Sequence, residues 1–180
     1  MIEVYDNIFD FNYSNYVWDF VKNSKYSLGW LNDDVPEHAS YVMLHSLFNP
    51  EEVDRLGIIE QLRKSDARSH ISDKKEIKTV VNLAIPGQTF FEHTHHNNWQ
   101  GDGIRNSPSV CLYYPNLEWR RQWGGETMFY TNSNQDIERA VEYKPNRLVF
   151  FTGEHSHAVR PPTAHAPFFR FTISMFFTPV

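Results

Sequence analysis

Three imidazoles stand where a metal could be held from one side: His93 and His95 in GQTFFEHTH, and His157 in HSHAVRP. Two histidines separated by one residue on a strand point to the same face, because side chains alternate across it. A third histidine from a distant strand completes a facial set of nitrogen ligands. Such a set leaves the opposite positions of an octahedral metal open for substrate and oxygen, as non-haem iron chemistry requires. An HxH pair alone is a weak signal, since paired histidines also occur on exposed strands. What surrounds it decides.

Arg170 is the second chemical signal, the only charge in the apolar run FFRFTISMFF at 168–177. A buried guanidinium needs an anion, and its planar fork meets a carboxylate with two parallel hydrogen bonds where lysine offers only a point charge. The competing reading turns Arg170 outward to water, with Phe169 and Phe171 on the opposite face. His155 likewise competes with His157, sharing its strand face two residues earlier.

The elements that must position these groups fall into two halves. Residues 14–23 read as a helix with Val17, Phe20, Val21 and Tyr13 on one face. Asn49-Pro50-Glu51-Glu52 is a helix start, with Asn49 as cap, Pro50 in the first turn and Glu52 completing a capping box. The helix it opens should bury Val53, Leu56, Ile59 and Leu62. From residue 76 the period changes to two: Ile77, Thr79, Val81, Leu83 and Ile85 alternate with Lys78, Val80, Asn82 and Ala84. Further strands are expected at FFEHTH, SVCLYY, ETMFY, NRLVFFT and FFRFTISMFF, separated by Gly, Pro and Asn turns. The fold class is mainly β with N-terminal helices, a jelly-roll-like barrel that gathers distant strands around one mouth.

With 180 residues and no linker or repeat, one domain spanning 1–180 is expected, with helical support to about residue 75 and the barrel from about 76. The net charge of −5 argues against a nucleic-acid partner. No apolar run is long enough to cross a bilayer, and MIEVYDNIFDF lacks the basic start of a signal peptide. Cys111 is the only cysteine, so no internal disulfide forms, which favours a reducing compartment, and a cytoplasmic setting is expected. Two polar segments are candidate lids over the mouth: 63–76, which reads equally well as a solvated connection, and 96–109 with Trp99, directly after the histidine pair.

Read together, the blocks of the last hundred residues resemble 2-oxoglutarate-dependent iron(II) dioxygenases of the prolyl 4-hydroxylase type. GQTFFEHTH matches a pattern of roughly G-Q-x-x-x-x-H-x-D. CLYYPNLEW, GGETMFY, YKPNRLVFF, HAVRPP and FRFTISMFF follow in the same order and spacing. The resemblance implies a double-stranded β-helix and a hydroxylase using Fe(II), 2-oxoglutarate and O₂, with ascorbate allowed as an accessory. A peptide or amino-acid-type substrate is implied, in the first place a prolyl side chain. His93 and His157 become iron ligands, the following Val-Arg-Pro favouring His157 over His155. Arg170 would bind the distal carboxylate of 2-oxoglutarate, Tyr114 would hydrogen-bond to it, and Thr172, on the face of Arg170, could assist.

The departure is His95, where that family carries aspartate. His95 could ligate directly, Asp102 could reach in from the next loop, or water or an anion could fill the position. Fe²⁺ with one carboxylate ligand and dianionic 2-oxoglutarate sums to −1, whereas three neutral imidazoles bring the sum to zero. Cosubstrate binding is not hindered by that change. Three-histidine iron sites also occur in dioxygenases that use no 2-oxoglutarate, which supplies a second reading. A metal-binding barrel without turnover is the third. Trp119, Arg121 and Trp123 would line a substrate groove or pack its rim.

Overall fold

The computed structural model describes residues 1–29, 43–88, 90–95, 107–131 and 136–180. Strand β1 (Ile2–Asp6) leads into helix α1 (Phe11–Lys22), which starts before residue 14 because Asp10 caps it, accepting from the Tyr13 amide. Val17 and Val21 are the helix's large buried side chains, while Phe20 is half-buried. After the two-residue β2 (Ser27–Leu28) and β3 (Leu44–Phe48), the capping box at Asn49 forms in both directions. The single helix expected from it is two. Gly57 takes the left-handed conformation at φ 69°, closing α2 (Pro50–Leu56) and opening α3 (Ile58–Lys64). That turn rotates the apolar face, so Ile58 instead of Ile59 is fully buried with Leu56 and Leu62.

The polar connection from 63 to 76 is no lid. Ala67 and Ile71 are buried in the core, and His70 stacks on Phe150 at 3.9 Å while its Nε2 meets the Tyr5 hydroxyl. The remaining strands are β4 (Lys74–Ala84), β5 (Ser109–Tyr114), β6 (Thr127–Tyr130), β7 (Ile137–Val141), β8 (Arg147–Thr152), β9 (His157–Val159) and β10 (Arg170–Pro179). They form a larger antiparallel sheet in the order β1-β8-β5-β10-β4-β3-β2 and a smaller one, β7-β6-β9. Strands β1, β3 and β7 carry no motif that singled them out in the sequence.

The pleat explains what lies where. Val81, Leu83, Tyr113, Ile173 and Met175 pack toward the helices with Val17, Leu56 and Leu62. Their alternate neighbours Val80, Leu112, Tyr114 and Phe176 face the smaller sheet, where Phe129 meets Phe151 at 5.0 Å. Two facing sheets with helices behind the larger one make the helix-backed barrel that the period change implies. Among the described residues no helix is long and apolar enough to cross a membrane.

Candidate metal centre

The segment FFEHTH is not a regular strand. It is held by one bridge, in which the backbones of His93 and His157 exchange two hydrogen bonds of 3.0 Å, and by the His95 amide on the Gly153 carbonyl at 2.7 Å. These bonds bring together what alternation implies. The ligand atoms of His93, His95 and His157 all lie within 4.8 Å of one another, with ring centroids 4.4 to 5.1 Å apart.

The second nitrogens orient two of the rings. His93 Nδ1 lies 3.1 Å from the Phe91 carbonyl, and His157 Nδ1 lies 2.9 Å from the His155 carbonyl. A carbonyl only accepts, so each Nδ1 carries the proton and each Nε2 keeps its lone pair for a metal. His95 packs edge-on against Phe176 at 4.8 Å. Its other neighbour is Gly153, where an added Cβ would stand 3.1 Å from His95 Cβ and 3.0 Å from Pro108 Cδ. That glycine leaves room for the imidazole. Three convergent neutral imidazoles, two with fixed tautomers, suit a divalent metal.

Desolvation, reinforced by the neighbouring rings, holds His95 and His157 well below the ordinary value of 6.5. The unfolded chain therefore binds more protons than the fold once the pH drops below about 6.5. The stability these neutral histidines allow is complete above that value and is lost as the pH falls toward the depressed folded values. We expect the unfolding free energy of the metal-free protein, read from urea titrations, to fall as the pH drops from about 7.5 to about 5.5, by up to about 1.4 kcal/mol per pH unit below about 6.5 for each histidine. A free energy flat across that interval would mean that the fold tolerates imidazolium there.

Arg170 points inward and is only 1% exposed. Its Nε donates to the Gly125 carbonyl at 2.7 Å, Nη2 donates to Thr127 Oγ1 at 3.1 Å, and Nη1 donates to Thr172 Oγ1. The guanidinium lies over Tyr114 and Tyr143, 5.2 and 4.8 Å from the ring centroids. No ion pair to Arg170 forms among the described residues, so its charge is met by dipoles and ring faces. Tyr114 lies beside the arginine, its hydroxyl 2.7 Å from Thr127 Oγ1, and it does not border the cavity.

Strand β6 touches both the arginine and the histidine cluster. Thr127 touches Arg170, while Phe129 packs near His157, 6.0 Å between ring centroids. Two residues of strand separate them, roughly 7 Å. One cavity of about 590 Å³ joins both, lined by all three histidines, Arg170 and Thr172, with Phe90, Phe91, Met43 and Leu47 farther out. The pair Gly124-Gly125 reads in the sequence as a tight turn that needs glycine, and both residues do take positive φ, 69° and 88°. Nothing in the sequence singles out Thr127 or Tyr143, and only the fold places them, with the Gly125 carbonyl, on the guanidinium.

His155 bonds to Thr152 and the Met1 amine and stays outside the cluster. Trp119 and Trp123 are buried, Trp119 donating to the Gly124 carbonyl, and Arg121 pairs with Glu142. None of the three lines the cavity. His96, Trp99 and Asp102 lie outside the described residues, as does most of the 96–109 segment.

A family model described as the 2OG-Fe(II) oxygenase superfamily matches residues 80–178. Among solved structures, a Pseudomonas putida prolyl 4-hydroxylase is similar, with TM-score 0.70, 16% identity, and coverage of 99% of this chain and 92% of that one. A Trichoplax adhaerens prolyl hydroxylase, solved with a peptide fragment of the hypoxia-inducible-factor oxygen degradation domain, gives TM-score 0.65 and 16% identity, covering 99% and 83%. The non-haem α-ketoglutarate-dependent epimerase SnoN of nogalamycin biosynthesis gives TM-score 0.70 and 10% identity, covering 99% and 78%. These identities establish the double-stranded β-helix and nothing finer. No curated protein matches the chain by sequence.

Proposed function

The chain belongs to the 2OG-Fe(II) oxygenase superfamily, and on that premise we propose that it is a hydroxylase acting on a peptide or amino-acid-type substrate through a three-histidine iron site. His93, His95 and His157 would hold the metal through nitrogen, at the wall of the cavity they line. Arg170 receives the distal carboxylate of 2-oxoglutarate, with Thr172 beside it in the cavity wall and Tyr114 packed against the guanidinium. When bound, iron and 2-oxoglutarate supply the oxygen-activating chemistry. The protein holds both, aligns the substrate C–H and keeps bulk water out.

The observation that carries this reading is the pairing, in one cavity, of the histidine cluster with a buried arginine that has no ion pair among the described residues. A dianion anchored at Arg170 would answer that charge within the same cavity that the three histidines line. A three-histidine oxygenase working without 2-oxoglutarate would leave Arg170 without evident use, unless a substrate carboxylate engaged it. The prolyl assignment draws on the two prolyl hydroxylases among the similar folds, and SnoN warns that the same fold serves other substrates. Ascorbate belongs to the proposal as an accessory reductant only. The buried free thiol of Cys111 suits a reducing, cytoplasmic setting, and residues 1–180 are read as one functional unit.

The test is turnover. Protein loaded with Fe(II) and supplied with 2-oxoglutarate and O₂ is expected to release succinate, even uncoupled from substrate. Zinc loading should abolish the release. Metal binding without succinate in any condition would reduce the molecule to a binding barrel.

A further inference from the structure

His93 and His157 each take their ring orientation from a carbonyl two residues back, that of Phe91 for the first and that of His155 for the second. One residue stands between each ligand and its carbonyl: Glu92 before His93, and Ser156 before His157. The side chains of these two residues are bonded to each other, the Ser156 hydroxyl donating to Glu92 Oε1. Alternation explains why they meet. His93 and His157 are partners in the antiparallel bridge, with their rings in the cavity wall, so the residues just before them project from the opposite face. Neither Glu92 nor Ser156 lines the cavity.

The bridge by itself does not fix the two orienting carbonyls. It engages the amides and carbonyls of His93 and His157, whereas the orienting carbonyls belong to the peptide units that end at Glu92 and Ser156. A turn of either unit carries its carbonyl off the imidazole Nδ1, and the ring is then free to exchange tautomers or rotate. The Glu92–Ser156 bond holds the residue at which each unit ends, one contact serving both. It also has a fixed end. Ser156 is only 8% exposed, and its carbonyl accepts from the Tyr130 amide at 3.0 Å, at the end of β6. The segment that carries Glu92 is not a regular strand, so the side-chain tether acts where regular pairing gives out.

We propose that the Glu92–Ser156 bond is a clamp that sets the ligand geometry of the metal centre, which makes Glu92 and Ser156 positioning residues acting through His93 and His157. The inference rests on the three-histidine reading and needs neither 2-oxoglutarate nor turnover. With the clamp closed, both Nε2 lone pairs are presented to a metal before it arrives. With it open, the metal binds only the fraction of molecules in that arrangement, and apparent affinity falls by the same fraction.

Co(II) is the probe, because its visible absorption reports ligand geometry as well as occupancy. Thermal midpoints of the metal-free proteins come first, so that affinities are read on folded protein. Glu92→Ala and Ser156→Ala should each lower Co(II) affinity by at least about tenfold and change the cobalt spectrum, as removal of groups that orient metal ligands does. The double variant should lose no more than either single one, because all three lack the same bond. Glu92→Gln keeps an acceptor oxygen at the same reach and should recover most of the affinity. In the metal-free proteins at about pH 8, where imidazole is neutral, nitrogen NMR should show His93 and His157 as Nδ1–H forms in the wild type and as tautomer mixtures in Glu92→Ala. A merely structural bond would lower the thermal midpoint and leave affinity, spectrum and tautomers unchanged. That result overturns the proposal, as do losses that multiply in the double variant. A wild type that binds no Co(II) would strike the three-histidine centre and the clamp with it, whereas absence of succinate formation would strike only the hydroxylase reading.

Discussion

Replacing His95 by alanine is expected to lower Fe(II) affinity by at least about 100-fold and to abolish 2-oxoglutarate decarboxylation. Loss of groups that merely orient metal ligands costs 10- to 100-fold, so removing a ligand should cost no less. The argument starts from geometry: the three imidazoles converge to within 4.8 Å, and two remaining protein nitrogens make a poor site. His95→Asp is the informative partner. The backbone at this position is fixed by the bond from its amide to the Gly153 carbonyl, so the shorter carboxylate starts from the same Cα as the imidazole. This variant should bind Fe(II) and retain measurable decarboxylation, because it restores the ligand set that the G-Q-x-x-x-x-H-x-D pattern carries. Asp102→Ala is the control and should keep its metal. If His95→Ala retains iron while Asp102→Ala loses it, the loop carboxylate is the third ligand and the three-histidine site is wrong. Metal content by mass spectrometry and succinate release decide between them.

Arg170→Ala is expected to raise the 2-oxoglutarate concentration needed for turnover by at least about tenfold and to leave metal content nearly unchanged. Loss of one partner of a buried charge pair costs about 3–5 kcal/mol, which predicts that factor or more. Arg170 also satisfies the Gly125 carbonyl and the Thr127 and Thr172 hydroxyls, so alanine leaves a hole and could lower stability. Arg170→Lys controls for this, retaining a cation without the planar fork. A thermal midpoint measured beside the kinetics separates unfolding from lost anchoring. The lysine variant should fall between wild type and alanine in its 2-oxoglutarate requirement. An unchanged requirement in a folded Arg170→Ala would sink the anchoring role.

Local patterns carried much of the fold. The Asn49 capping box, the apolar spacing of α1 and the switch to a two-residue period at β4 each depend on residues close in sequence, and each formed. The errors arose where a local rule met a longer-range one. Gly57 is ordinary in a helical pattern until the next turn must bury Ile58, and then its left-handed conformation divides the helix. The charged run at 63–76 looked solvated, yet Ala67 and Ile71 are anchored because the larger sheet offers them a core. FFEHTH alternates like a strand, but among the described residues its backbone holds to its neighbours through one bridge and the His95 amide on the Gly153 carbonyl.

The candidate site divides along the same line. Sequence by itself determined that His93 and His95 share a face, since alternation is a property of the backbone, and that a lone arginine in FFRFTISMFF is costly unless answered. Matching blocks in the right order added His157. Tertiary structure alone decided that the three imidazoles meet, through the His93–His157 bridge, and that Gly153 leaves room for His95. It also turned Arg170 inward onto Gly125, Thr127 and Thr172. The physical reason is separation along the chain: side-chain direction is set by neighbouring residues, whereas distance between β4, β6, β9 and β10 exists only after the two sheets close on each other.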